Sequence, residues 1–292
     1  MDRNTRRLCS AWLVALAILS GCAAQRNEMV YTPFLDRLDA DAVVVFVGAH
    51  PDDETLIGPL LAYAADHAKE AVVVSLTPGE GGWNLDKEDM TRTLAQVRQA
   101  EFQAALAVLG ATPVLLDYVN GLSKAHPQGL AVSETEQPAL ARWRSDGSRD
   151  ETPQAMLARW TKEDGDPAAR LADLFRRKQP AAVITFDPQT GFTKHGEHKA
   201  ASMAVLDAVG EYNRSAVRKA ALYYALPSVI KAEGVHSILV EDLTKAGPRD
   251  YERVARESAD CYKSQFRPRP PATAPAEPRR EWLIVLQPVD AR

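Results

Sequence analysis

The chain has 292 residues, 46% hydrophobic and 25% charged, so it is long and apolar enough for one large core, and disorder throughout is excluded. Its 35 Lys and Arg against 39 Asp and Glu give a formal charge of -4, without the basic surplus of a nucleic-acid binder. Three scattered cysteines, Cys9, Cys22 and Cys261, make neither a disulfide framework nor a thiolate zinc cluster, so any metal must be held mainly by His and carboxylate.

Arg3, Arg6 and Arg7 precede a nine-residue apolar stretch, Ala11 to Leu19. A bilayer needs about 20 such residues, so the stretch does not predict a membrane span. Leu19-Ser20-Gly21-Cys22 resembles the lipobox of bacterial lipoproteins. That resemblance implies a signal peptide over 1–21, acylation of Cys22 and a lipidated tether over 22–41. It also implies a cell-envelope location on the extracytoplasmic side, with the outer membrane favoured in a Gram-negative host. An ordinary signal peptide or a disordered apolar leader is the alternative. Cys261 then lacks an intramolecular partner and is expected to be a small buried side chain on a helix rather than a catalytic thiol.

Residues 42–292 read as one α/β domain. Ala42 to Gly48 is a β-branched run suited to a strand buried on both faces, followed by a helix over Glu54 to His67. Ala71 to Leu76 is a second strand, Met90 to Leu109 a long amphipathic helix closed by Gly110, and Val114 to Tyr118 a third strand. This is the βαβ pattern of a mostly parallel sheet covered by helices, a Rossmann-like three-layer sandwich. Residues 120–166 form an irregular excursion with a short helix near Gln154 to Trp160. Beyond it the composition predicts a helix over Ala168 to Lys178, a strand over Ala181 to Phe186, a helix over Glu197 to Tyr212 and a strand over Ala220 to Ala225. A short strand at Ser237 to Val240 and a helix over Arg249 to Ser264 follow. Five prolines between Phe266 and Arg280 make a crossing loop that leads to a last strand, Trp282 to Leu286.

Ligands in parallel α/β folds gather beyond the carboxyl ends of the strands. After the first strand the chain runs directly into Gly48-Ala49-His50-Pro51-Asp52-Asp53-Glu54, an imidazole and three carboxylates within five positions. Helix capping by Asp52 or Asp53 would account for this cluster alone. The strand Ala181 to Phe186, however, leads into a second one, His195-Gly-Glu197-His198, so that three of the six histidines sit at strand-to-helix transitions. A set of His50, Asp53 and His198 leaves one zinc position open for water, as catalytic zinc sites do.

GAHPDDE is similar to the signature of the LmbE/PIG-L family of zinc-dependent deacetylases acting on N-acetylglucosamine-containing substrates, and HGEH to its later histidine motif. Weaker likenesses are Leu76 to Gly82, Arg98-Gln99-Ala100-Glu101 and Tyr262-Lys263-Ser264-Gln265. The resemblance implies an LmbE-like fold, Zn²⁺ held by His50, Asp53 and His198, and Asp52 as general base. It implies that His195 stabilises or protonates the tetrahedral intermediate, and that Arg98 lies near the site as a substrate or supporting residue. Stabilisation by a charged His195 requires a raised pKa beside the carboxylates. The family commonly has aspartate where this chain has Glu197, which is expected to alter how the neighbouring imidazole is oriented.

These residues predict hydrolysis of the N-acetyl group of an amino sugar or glycoconjugate, with no nucleic-acid partner and a membrane contact through the lipid anchor. Cleavage of a larger amide is an alternative within the same chemistry, and a non-catalytic, metal-containing carbohydrate-binding lipoprotein is one from another class. Dinucleotide binding is disfavoured because the first strand meets AHPDDE instead of a glycine-rich turn.

Overall fold

A computed structural model of the chain describes residues 33–85, 91–120, 130–131, 151–228, 234–267 and 282–290, all within one compact unit, Pro33–Arg292. Residues 1–32, Cys22 among them, most of the 120–166 excursion and most of the proline-rich loop lie outside the described residues. The end of the expected tether is not a free linker, because Phe34–Arg37 forms a 3₁₀ turn with Phe34 buried in the core and Arg37 bonded to the Tyr223 hydroxyl.

The first strand, β1 (Val43–Gly48), is buried along its whole length. Its side chains alternate, Val44 and Phe46 entering one apolar cluster and Val43, Val45 and Val47 another, which requires helices on both faces. A 3₁₀ turn, Asp53–Ile57, leads into α1 (Gly58–His67), so the helix predicted from Glu54 is divided in two. The chain continues through β2 (Glu70–Ser75), β3 (Trp83–Asn84), α2 (Leu94–Leu109), β4 (Thr112–Leu115) and β5 (Leu130–Ala131). Thr93 and Gln96 close a capping box at the start of α2, and Gly110 ends it at φ +79°, a left-handed position suited to glycine.

The next helices are α3 (Pro153–Asp164) and α4 (Pro167–Lys178), the former longer than the short helix expected near Gln154. They are followed by β6 (Ala182–Phe186), the short α5 (Gly191–Lys194), α6 (Gly196–Ser215), β7 (Ala221–Leu226) and β8 (His236–Leu239). Last come α7 (Val240–Ala246), α8 (Tyr251–Ala259) and β9 (Leu283–Val289).

Seven strands form one sheet in the order β4-β2-β1-β6-β7-β9-β8, and β3 pairs separately with β5. The pairings from β4 through to β7 are parallel, while β9 is antiparallel to both its neighbours. Leu60, Leu106 and Val254, from α1, α2 and α8, cover one face. Trp160, Phe175 and Val205, from α3, α4 and α6, cover the other. The result is an α/β three-layer sandwich with a largely parallel sheet. After β1 the chain builds outward through β2 and β4, then returns to place β6 on the other side of β1. The carboxyl ends of β1 and β6 therefore flank a topological switch point, where open α/β sheets form their crevice. Among the described residues no helix is long and apolar enough to cross a membrane.

Candidate functional site

Beyond Gly48 the chain doubles back on itself. Asp53 Oδ2 accepts hydrogen bonds from the backbone N–H groups of Ala49, at 2.7 Å, and His50, at 3.0 Å. That fold-back brings the Asp53 side chain against the end of β1, where a Cβ on residue 48 would lie 2.7 Å from Asp53 Cβ, closer than such atoms pack. Glycine at 48 is thus a packing requirement. Gly48→Ala is expected to push Asp53 aside and weaken metal binding by about 10- to 100-fold, the usual effect of disturbing groups behind a metal ligand. Metal retention against a graded chelator would measure it.

Asp52 sits at φ +98°, a left-handed conformation that costs a non-glycine residue about 1–3 kcal/mol. The turn sends its side chain away from Asp53 and towards Arg98, whose Nη2 lies 2.9 Å from Asp52 Oδ2. Buried Arg98 also donates to the carbonyls of Gly79, at 2.9 Å, and Pro51. Gly79, at φ +70°, lets the guanidinium approach its backbone, because a Cβ there would collide with Nη1.

The second bank of the site follows β6. His195 caps α6, its Nδ1 accepting from the Glu197 backbone N–H at 3.3 Å. His198 is buried beside the Phe186 ring and hydrogen-bonds through Nδ1 to the Gly191 carbonyl at 2.9 Å. Its Nε2 faces Asp53 Oδ1 at 3.0 Å. His50 is arranged in a similar way, its Nε2 2.5 Å from Glu197 Oε2 and its Nδ1 3.8 Å from the same Asp53 oxygen. Each of these rings has one nitrogen tied to an oxygen acceptor while the other looks toward one carboxylate oxygen. Two imidazole nitrogens converge on one carboxylate oxygen, each ring held from behind by an oxygen acceptor, and backing of this kind is what metal-ligating histidines show. Ring nitrogens of His50, His195 and His198 all come within 4.8 Å of one another, a cluster able to hold a metal ion. The donor set, imidazole and carboxylate without thiolate, fits zinc.

Electrostatics sort these groups. Burial would lower the His50 pKa, but hydrogen bonds and charge from Asp53 and Glu197 raise it to about 10. Burial acts in the opposite sense on Asp53 and Glu197, and both are nonetheless lowered, Asp53 well below its ordinary value by His198 and His50, and Glu197 by His50. Asp52 is raised, first by burial and further by the like charge of Asp53, with Arg98 opposing. His195 keeps an exposed edge, but the protein packed around it and the adjacent His50 lower its pKa to about 4. This is the opposite of the raised value expected, because burial and the charge of His50 outweigh the pull of the Glu197 and Asp53 carboxylates.

The structure brings His50, Asp52, Asp53, Arg98, His195, Glu197 and His198 to one crevice, and it corrects one orientation. The Glu197 carboxylate reaches His50, and only its backbone touches His195. Sequence reasoning missed Asn120, whose Nδ2 donates to Glu197 Oε2 at 2.7 Å. It also passed over the role of Glu54, the third carboxylate of the first cluster, which accepts from the Asp52 N–H at 3.1 Å. Cys261, expected to be buried on a helix, is half-buried in the turn that follows α8, where it donates to the Glu257 carbonyl.

Known proteins share this arrangement of sequence. The family model described as PIG-L, GlcNAc-PI de-N-acetylase, matches residues 45–209, more than half of the chain. A 1D-myo-inositol 2-acetamido-2-deoxy-alpha-D-glucopyranoside deacetylase of Kineococcus radiotolerans is 28% identical over 189 residues, 62% of this chain and 50% of that protein. A protein of the same description from Tsukamurella paurometabola is 33% identical over 177 residues, 57% of this chain and 54% of its own length. The chain thus spans about half the length of these relatives. The solved structure of N,N'-diacetylchitobiose deacetylase from Pyrococcus horikoshii, in complex with an inhibitor, aligns over 80% of this chain and 73% of its own at 18% identity and TM-score 0.47. Because the family match runs from within β1 into α6 and takes in both banks of the crevice, the chain belongs to the PIG-L family of GlcNAc-PI de-N-acetylases.

Proposed function

We propose that this protein is a zinc-dependent hydrolase that removes the N-acetyl group of an amino sugar or glycoconjugate. The observation that carries the reading is the pair of oriented imidazoles, His50 and His198, converging on Asp53 Oδ1 beside Asp52. The relatives, described as deacetylases of a 2-acetamido-2-deoxy-glucopyranoside, support the substrate class.

His50, Asp53 and His198 would hold the ion, which when bound supplies Lewis acidity toward an amide carbonyl and a water. Asp52 takes the proton from the attacking water and passes it to the departing amine, so that acetate and a free amino group result. Its raised pKa keeps it a stronger base than an exposed aspartate, and Arg98 fixes the direction of its carboxylate. His195 acts as a neutral donor. With Nδ1 occupied as the acceptor for the α6 cap, its ring proton resides on Nε2 and is free to bond the developing oxyanion.

Acetate release from a panel of N-acetylated amino sugars and glycolipids, measured beside zinc content, tests this reading. A zinc-loaded chain that binds these sugars and releases no acetate from any of them would remove it in favour of a larger amide or a binding role. For location, the lipobox-like tetrapeptide supports acylation of Cys22. Membrane-fraction retention is expected for the parent and lost in Cys22→Ser, and an unmodified mature N-terminal cysteine by mass spectrometry would refute it.

A further inference from the structure

The buried hydroxyl of Tyr262 lies behind the crevice, in the turn that follows α8. It donates to Glu54 Oε1 at 2.5 Å across 208 residues of sequence, and Glu54 Oε2 in turn accepts the backbone N–H of Asp52. Both carboxylate oxygens of Glu54 are therefore committed, one to each neighbour. Asp52 is the residue in a left-handed conformation, and its carbonyl is held from the other side by the N–H and hydroxyl of Thr55, at 3.0 and 2.6 Å. The Tyr262 segment is itself fixed, because the backbone N–H and hydroxyl of Ser264 donate to the two carboxylate oxygens of Glu101 on α2, at 2.8 and 2.5 Å. A rigid C-terminal turn thus reaches the peptide of one aspartate through a single carboxylate. A tyrosine placed only to fill the core would need no acceptor that is also bonded to Asp52.

We infer that Tyr262 is a positioning residue for Asp52, acting through Glu54 to hold the base in its left-handed turn. The inference rests on the reading of Asp52 as general base. Removing the hydroxyl frees Glu54 to swing away from the Asp52 N–H, after which the turn relaxes and the carboxylate leaves the line of the attacking water. Misplacement of a reacting group on this scale costs up to about 100-fold in rate. Zinc and substrate affinity are untouched, since neither Tyr262 nor Glu54 contacts the proposed ligands' side chains.

The test uses the full chain. Tyr262→Phe and, separately, Glu54→Gln are expected to lower kcat about 10- to 100-fold with KM and zinc content unchanged. The deciding readout is the Asp52→Asn background, in which residual turnover is expected to fall no further when Tyr262→Phe is added. A drop by the same factor in both backgrounds would show a general structural role and overturn the inference, as would parent-like kcat in both single variants or loss of zinc from Tyr262→Phe. If Tyr262→Phe melts below the assay temperature, Glu54→Gln in the two backgrounds decides by the same criterion. Parent-like turnover of Asp52→Asn at equal zinc would overturn the base assignment and this inference together. A crippled Asp52→Asn beside unimpaired Tyr262 and Glu54 variants would overturn this inference alone.

Discussion

Asp52→Asn is expected to cut turnover by about 10²- to 10⁴-fold while zinc content stays at the parental value and the chain remains folded. Asparagine tolerates the left-handed backbone at least as well as aspartate, so the turn at φ +98° survives. Its side-chain oxygen still accepts from Arg98 Nη2, and its backbone N–H still meets Glu54. What is lost is the capacity to take a proton, together with the negative charge that faces Arg98. Because Asp52 points toward Arg98 and not toward the converging imidazoles, removing its charge leaves the metal donors in place. Acetate release and elemental zinc measured on the same preparation check both halves of the expectation, and parent-like release at equal zinc would remove Asp52 as the base.

The other large effect is on metal. Asp53→Asn is expected to abolish stoichiometric zinc binding and with it turnover, yet to leave the fold intact. Its amide oxygen can continue to accept from the N–H groups of Ala49 and His50, the bonds that close the turn after β1. Asp53→Ala removes that acceptor as well, leaving two backbone donors without their partner at a cost of about 1–3 kcal/mol each. The two variants should therefore be equally poor in zinc and differ in thermal melting, alanine unfolding first. Full zinc in Asp53→Asn by elemental analysis would show that the ion, if present, is held elsewhere.

Much of this is legible in the amino-acid sequence. Ala42 to Gly48 and Ala71 to Leu76 announce central strands because burial on both faces leaves no room for polar alternation, and they lie in the sheet as β1 and β2. The two clusters that follow β1 and the strand at Ala182–Phe186 were legible for the opposite reason, since charged residues crowd directly against apolar runs. The rest depends on contacts between distant residues. Asn120 and Glu197 are 77 positions apart, and their pairing follows from side-chain directions that no local pattern encodes. The same holds for the turn of the Glu197 carboxylate toward His50 in place of His195. The low pKa of His195 follows from its burial and from the charge of His50, 145 positions away, which no local pattern encodes. The insertion of β9 between β7 and β8 likewise arises from long-range pairing, to which the short apolar run after the proline-rich segment gives no register.

The switch point has a consequence for how the molecule holds together. β1 and β6 are neighbours, but the Thr185 hydroxyl that bonds the Val47 carbonyl across them is 138 residues away along the chain. Closing that gap is the kind of non-local step that makes parallel sheets slow to fold. On the proposed ligand set, an ion gripped by His50 and Asp53 on one bank and His198 on the other would act as a rivet across this seam. It binds the closed sheet and has no equivalent partner in the open chain, so free ion at a thousand times its dissociation constant adds about 4 kcal/mol to stability. The resistance of the fold to opening would thereby be tied to the metal supply of its surroundings, and starvation for the ion would weaken the sheet at the seam where the proposed chemistry takes place.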